Sequence, residues 1–285
     1  MITQVGYSIR PATEEDRFQL VSLIQLEPYV HRHLDWRAPI DWLGQKPYYV
    51  AEKDGQLVAA LACPADPPGV SWIRTFACAG SVNTWPYWKQ LWSAAKEELS
   101  DGPEIHVAAI PLFSWFRQIL VKSGFDHTHK VVVLAWDRQE VPAASRQAAV
   151  ELQTMQGSDL PAVAEVDNLA FDTIWRNSET ALSLAQKQSV SATVARSQEG
   201  IVGYQITTQS PYGWHLARLA VHPAYQRQGI AMVLLRDLLG QAIRKSQGQV
   251  TVNTQHNNPA SLELYKKIGF RRTGEEYPVY QTLII

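Results

Sequence analysis

Trp214 to Lys245 reads WHLARLAVHPAYQRQGIAMVLLRDLLGQAIRK, and its interpretation decides the fold. Small and branched apolar residues from Leu216 to Val221 predict a strand, closed by His222-Pro223. A polar turn, Ala224 to Gln228, follows. A helix is expected from Gly229, because Ile230, Leu234, Leu238 and Ala242 recur along one stripe. Between strand and helix lie Gln226, Arg227, Gln228, Gly229, Ile230 and Ala231. Backbone amides there can point at an anion, with the helix N-terminus behind them. Gly229 has no Cβ to hold a phosphate away from the chain, and Arg227 adds a full positive charge. The composite predicts a pyrophosphate cradle.

A second segment narrows the reading. Val250 to Thr254 reads as a strand and is followed by Asn258-Pro259-Ala260-Ser261-Leu262-Glu263-Leu264-Tyr265-Lys266-Lys267-Ile268-Gly269-Phe270. Gln-x-x-Gly-x-Ala after Leu-Ala-Val, then Asn-x-x-Ser-x-x-Leu-Tyr-x-x-x-Gly-Phe, together resemble the acetyl-CoA-binding signature of the GNAT acyltransferase superfamily. Ser261 stands where the family pattern has Ala. The resemblance implies an α/β fold, with a mixed, mostly antiparallel sheet flanked by helices and two splayed central strands.

The bulk properties agree with a globular enzyme. The chain has 285 residues, enough for one large domain or two ordinary ones, and a formal net charge of −1. Nothing global draws it to nucleic acid or to a membrane. No run of about 18 uncharged apolar residues occurs. Cys63 and Cys78 are too few for a disulfide framework. A cytoplasmic protein is the expectation.

The N-terminal half follows the same order as the C-terminal half. Tyr7 to Arg10 predicts a strand, and Glu14 to Asp16 begin a helix whose apolar face runs from Phe18 to Leu26. Asp54-Gly55 marks a hairpin turn between Tyr48–Glu52 and Leu57–Cys63. Strands are expected at Val70–Cys78, His106–Ile110 and Lys130–Trp136, with helices at Tyr87–Leu99 and Trp115–Lys122. Gly55 with Gly200, and Gly124 with Gly269, share one spacing, and Asp16 with Asp159 comes within two residues of it. Two tandem GNAT folds are therefore expected, over 1–137 and 148–285, joined by a polar linker from Asp137 to Gln147. Opposite the cradle, the first copy has Ser81-Val82-Asn83-Thr84-Trp85-Pro86, without glycine or basic residue. It reads as a degenerate copy without a cofactor site. Eight of the ten tryptophans fall in this half, as core or as filling for a vacated cleft.

For the second copy, the resemblance assigns backbone groups of Leu219, Ala220 and Val221 to the pantetheine arm of acetyl-CoA. It assigns the amides of Arg227, Gln228, Gly229, Ile230, Ala231 and Met232, beside Gln226, to the pyrophosphate. Asn258 is a cofactor contact by resemblance, and an N-cap before Pro259 by local chemistry. Tyr265 occupies the family's Leu-Tyr position. A phenol of pKa about 10 is protonated at neutral pH and can hydrogen-bond to a departing thiolate. A glutamate early on the fourth strand serves many members as base. Counting back from Val221, that place holds His215, which can take a proton or simply pack. The next alternate position holds Ala217, so the usual acid pair is absent.

The helical region Asp159 to Gln188 is expected to cover the acceptor cleft, with Phe171, Trp175, Arg176, Asp167 and Asp172 as candidate lining. Two His-x-His pairs, His31/His33 and His127/His129, share faces if they lie on strands, but no cysteine or carboxylate cluster accompanies them. No metal is expected. The function expected is transfer of an acetyl group from acetyl-CoA to a primary amine, on a small molecule or a peptide. The competing class is a non-catalytic acyl-CoA-binding or scaffold protein.

Overall fold

The computed structural model describes residues 6–137, 140–142 and 148–285. Most of the expected linker, 138–139 and 143–147, lies outside the described residues. The elements in chain order are β1 (Ser8–Pro11), α1 (Arg17–Leu26), β2 (Tyr29–Arg32), β3 (Tyr48–Lys53), β4 (Gln56–Ala62), β5 (Val70–Trp72), β6 (Thr75–Cys78), α2 (Thr84–Ser100), β7 (Ile105–Ala109), α3 (Ser114–Lys122) and β8 (Asp126–Trp136). They continue with β9 (Glu151–Thr154), α4 (Leu160–Ala170), α5 (Glu179–Lys187), β10 (Ser189–Ser197), β11 (Gly200–Ser210), β12 (Gly213–Val221), α6 (Ile230–Arg244), β13 (Val250–Gln255), α7 (Pro259–Ile268) and β14 (Arg271–Ile284). The architecture is α/β, with mixed, mostly antiparallel sheets flanked by helices.

The chain divides into two compact units, 1–128 with 278–285, and 129–277. These bounds differ from the expected 1–137 and 148–285, and strand pairing supplies the reason. Val131 to Trp136 of β8 pair antiparallel with β13, so the closing strand of the first half builds the second unit. Tyr280 to Ile284 of β14 pair with β7, so the last residues of the chain build the first unit.

In the first unit, β3 and β4 form the expected hairpin. Asp54 and Gly55 both have positive φ, 52° and 76°, as a two-residue I′ turn demands. The expected single strand Val70–Cys78 is broken at Ile73-Arg74. Its first part, β5, pairs parallel with β7, and its second part, β6, pairs antiparallel with β4. The other edge of β6 is taken by β2, in register from Tyr29↔Cys78 to Arg32↔Thr75. Trp88, Trp92, Phe76 and Phe116 pack between α2, α3 and the sheet. His31 stacks on Phe116 and bonds to the Ile73 carbonyl, and His33 stacks on Trp72. Both imidazoles are thus engaged in aromatic packing.

The second unit orders β9–β10–β11–β12–β13–β8. Trp214, Leu216 and Trp136 meet Leu235, Leu238 and Leu239 of α6 and Tyr265 and Ile268 of α7 in one buried cluster. Alternation then fixes the rest of β12: residues facing away from this cluster point to the α4 side. Among the described residues, no helix is long and apolar enough to cross a membrane.

Candidate active site

β12 pairs parallel with β13 over three residues only, Trp214↔Val250, His215↔Thr251 and Leu216↔Val252. Beyond Leu216 the two strands part. The parting coincides with a bulge, because Leu216 pairs with Thr207 and Arg218 with Ile206, leaving Ala217 as the extra residue. An extra residue reverses the alternation, so Arg218, not Leu219, points to the α4 side. β11 continues to pair the other edge up to Val221, and the His222 amide bonds to the Val202 carbonyl. Antiparallel pairs alternate between bonded and non-bonded, so Ala220 turns its backbone to Tyr204. Leu219 and Val221 turn theirs to the open edge. The Val221 carbonyl there accepts a bond from the Gln226 amide side chain at 3.1 Å.

At the end of β12 the chain turns through Arg227, φ 61°, and Gly229, φ 89°, into α6. A Cβ on Gly229 would meet nothing within 4 Å, so the space over the turn is open. The first i→i+4 bond of α6 runs from Val233 to the Gly229 carbonyl. The amides of Ile230, Ala231 and Met232 therefore have no partner within the helix, as at any helix start. Gly203, on the neighbouring strand, lets the helix sit close: a Cβ there would lie 3.0 Å from the Ala220 carbonyl and 3.2 Å from Ile230. Arg227 is exposed at the turn, and Gln228 bonds back to the Ala224 carbonyl.

Asn258 caps α7, its side-chain oxygen accepting from the Ser261 amide at 3.0 Å. Tyr265 is buried against Phe270, and its hydroxyl has no hydrogen bond to a described residue. Burial raises its pKa well above the usual phenol value, so the hydroxyl stays protonated at any physiological pH. His215 bonds through Nδ1 to Thr251 Oγ1 at 2.8 Å, and burial lowers its pKa. Thr251 Oγ1 also lies 3.5 Å from the Trp214 carbonyl. Nε2 of His215 makes no hydrogen bond to a described residue.

The residue missed in the sequence is Arg218. Its Nε and Nη2 grip both oxygens of Asp167 at 2.6 and 2.8 Å, and Nη2 also reaches the Trp175 carbonyl. The guanidinium lies 3.5 Å from the Phe171 ring centre. Burial opposes the Arg218 charge, and the Asp167 carboxylate more than offsets it, holding the arginine above its ordinary pKa. Asp167 further accepts from the Tyr204 hydroxyl and from the Asn177 amide at 2.8 Å. It is fully buried and occupied by these donors, so it is not free to attract an ammonium group as its position had suggested. A signal was present in the sequence: a lone arginine in an apolar strand and a lone aspartate on the apolar face of a helix must pair if both are buried. Of the other lining candidates, Phe171, Trp175 and Arg176 lie on the segment that follows α4, with Arg176 Nε bonded to the Phe171 carbonyl at 3.1 Å. Trp175 meets His129 edge-on, and Asp172 is exposed. Among the described residues, no group of three or more His, Cys, Asp or Glu side chains is placed to hold a metal ion.

A parallel strand pair that parts beside a glycine turn heading a helix is the arrangement implied by the GNAT resemblance, and comparison with known proteins agrees. A family model described as an acetyltransferase (GNAT) domain matches residues 159–280. The N-alpha-acetyltransferase RimI of Mycobacterium tuberculosis is 37% identical over 84 residues, covering 28% of this chain and 51% of that protein. The ribosomal protein bS18-alanine N-acetyltransferase of Escherichia coli K12 is 24% identical over 132 residues, 46% of this chain and 87% of that protein. The chain thus spans about half the length of the first of these relatives. Among solved structures, a GCN5-related N-acetyltransferase from Sphaerobacter thermophilus has a TM-score of 0.61 at 16% identity, covering 99% of this chain and 97% of that one. A tandem GNAT protein from the clavulanic acid biosynthesis pathway has a TM-score of 0.62 at 14% identity, covering 98% and 99%. These structural likenesses speak for the fold alone. Residues 159–280 thus form a GNAT acetyltransferase domain.

Proposed function

We propose that the unit 129–277 transfers an acetyl group from acetyl-CoA to a primary amine by direct attack on the thioester. The observation that carries this reading is the open edge of β12 after Leu216, which ends at the turn heading α6. The outward N–H and C=O groups of Leu219 and Val221 suit the amides of a pantetheine arm, which would lie along them as an added strand. The amides from Gln228 to Met232, with Arg227, suit a pyrophosphate. The donor supplies an activated acyl carbon, and the chain supplies the rest. A backbone amide of β12 steadies the oxygen that gains charge when nitrogen attacks. His215 Nε2 takes the amine proton, directly or through water. Tyr265 gives a proton to the sulfur as the carbon–sulfur bond breaks.

The first unit reads as a copy without cofactor binding, and two features support this. β2 fills the edge of β6 that corresponds to the open edge of β12. The start of α2 is already capped, with the Asn83 side chain accepting from the Trp85 amide at 3.0 Å. An enzyme drawing on acetyl-CoA works where that donor is made, so the cytoplasm is its expected place.

A second reading, a non-catalytic acyl-CoA-binding protein, is favoured by one observation: the positions that carry acids in many relatives hold His215 and the bulged Ala217. Free CoA release, measured with a thiol reagent across a panel of amines, separates the two. Release that rises with an added amine supports transfer. Tight acetyl-CoA binding with no release above the amine-free rate would leave the binding protein.

A further inference from the structure

Two guanidinium groups converge on Phe171 at the side of the parted strands. Arg218 stacks against its ring, and Arg176 holds its backbone carbonyl. Arg218 spends Nε and Nη2 on Asp167 and on the Trp175 carbonyl, which leaves Nη1 outside all three bonds. Its side chain is 12% exposed, so the guanidinium is not sealed in. Arg176 uses Nε alone and is half-buried, so both of its Nη groups remain outside that bond. The carboxylate that pairs with Arg218, Asp167, also accepts from Tyr204 and Asn177. Asp172 is exposed and forms no ion pair with either arginine among the described residues. Arg218 is therefore neutralised by Asp167, while Arg176 has no ion pair among the described residues, beside an aromatic face.

We propose that the acceptor amine carries a carboxylate as well, and that Arg176, with Nη1 of Arg218 beside it, binds it. This rests on the acyl-transfer reading above and adds the class of acceptor. The Nη1–Nη2 edge of Arg176 matches a carboxylate in two parallel bonds, and charge-assisted bonds of this kind are about twice as strong as neutral ones. Phe171 and Trp175 then cover the carbon skeleton between carboxylate and amine. The corresponding arginine of the first unit, Arg74, has the same kind of partners: it bonds Asp35 at 2.9 Å and lies over Trp42. An arginine at the strand break thus also serves structure in this chain, so Arg176, which has no aspartate partner, is the diagnostic position.

The test compares small amines bearing a carboxylate with their carboxamide isosteres, matched for distance between the two groups. Acetyl-CoA binding is followed in parallel by calorimetry. The wild-type protein is expected to favour the acids in kcat/KM by about tenfold or more, the scale of one good charge-assisted contact. Arg176→Gln should bring that ratio towards one through the KM for the acid. Arg218→Lys, which keeps charge but loses the flat fork, should lower it in part. Equal use of acids and amides, a preference for amides, or an unchanged ratio in Arg176→Gln overturns the proposal while acetyl-CoA still binds. Failure to bind acetyl-CoA overturns the acyl-transfer reading, and this inference with it.

Discussion

His215 and Thr251 join β12 to β13 through a 2.8 Å bond, immediately before the two strands part. The bond engages Nδ1 and leaves Nε2 without a hydrogen bond to a described residue. Burial keeps the ring neutral by lowering its pKa, so His215 is a base that stays unprotonated below the ordinary histidine range. The acidic limb of kcat/KM is accordingly expected below about 6.5, the unperturbed value. His215→Ala should abolish that limb and lower the plateau. Thr251→Val, which removes the partner of Nδ1, should lower the plateau while keeping the limb. An unaltered pH profile in His215→Ala would remove this histidine from the mechanism.

The turn at Gly229 offers a test of the cradle. With φ at 89°, the position already disfavours side chains, and the empty space over it is where a phosphate would come close. Gly229→Trp should abolish acetyl-CoA binding in a protein that still melts cooperatively. Wild-type affinity by calorimetry in a folded Gly229→Trp protein would place the pyrophosphate elsewhere.

Stoichiometry tests the first unit. Because β2 pairs with all four residues of β6, an incoming pantetheine arm would have to displace Tyr29 to Arg32 from the sheet. Titration should give one acetyl-CoA per chain, and a value of two would show that β2 yields.

How much of this was written in the sequence depends on the range of the interaction. The cradle residues, the I′ turn at Asp54-Gly55 and the helix carrying Tyr265 each have a local signature, since a positive φ, a missing Cβ or an apolar stripe is set by near neighbours. β2 has none. Tyr29 to Arg32 become a strand only because the edge of β6 is there to pair with, and propensity is a weak guide to such segments. The bulge at Ala217 is similarly silent, for alanine fits a bulge and a regular strand alike. Counting by alternation through it placed Ala217 where Arg218 stands. The exchange of β8 and the end of β14 between units also depends on partners far away in sequence. Asn258 shows a different limit: one local pattern fits both an N-cap and a cofactor contact, and the cap is the bond present.

Stability should depend on pH through His31. Burial lowers its pKa from 6.5 to about 4, and His33 beside it is lowered in the same direction. The unfolded chain therefore binds more protons between these values, so the histidine's contribution is intact above 6.5 and declines as pH falls towards 4. The shift in His31 corresponds to about 3 kcal/mol across that window. His31→Phe should flatten this part of the pH dependence, as followed by chemical denaturation reported by tryptophan fluorescence. An equally steep decline in His31→Phe would assign the acid sensitivity to other groups.

Tyr265 provides the last test. Its ring belongs to the core of the second unit, packed with Phe270 and the α6 leucines, so removal of the whole side chain would confuse packing with chemistry. Tyr265→Phe keeps the ring and deletes only the hydroxyl. That hydroxyl bonds to no described residue, so its loss leaves no internal partner unsatisfied, and stability should change little. If it protonates the departing sulfur, kcat should fall by about 100-fold or more, the usual range for a lost general acid, with acetyl-CoA affinity nearly constant. Poorer leaving groups should suffer most, because they depend most on that proton. A Tyr265→Phe protein that turns over at the wild-type rate, with chemistry shown to be rate-limiting by single-turnover measurements, would mean that water supplies the proton and that the tyrosine is a core residue only.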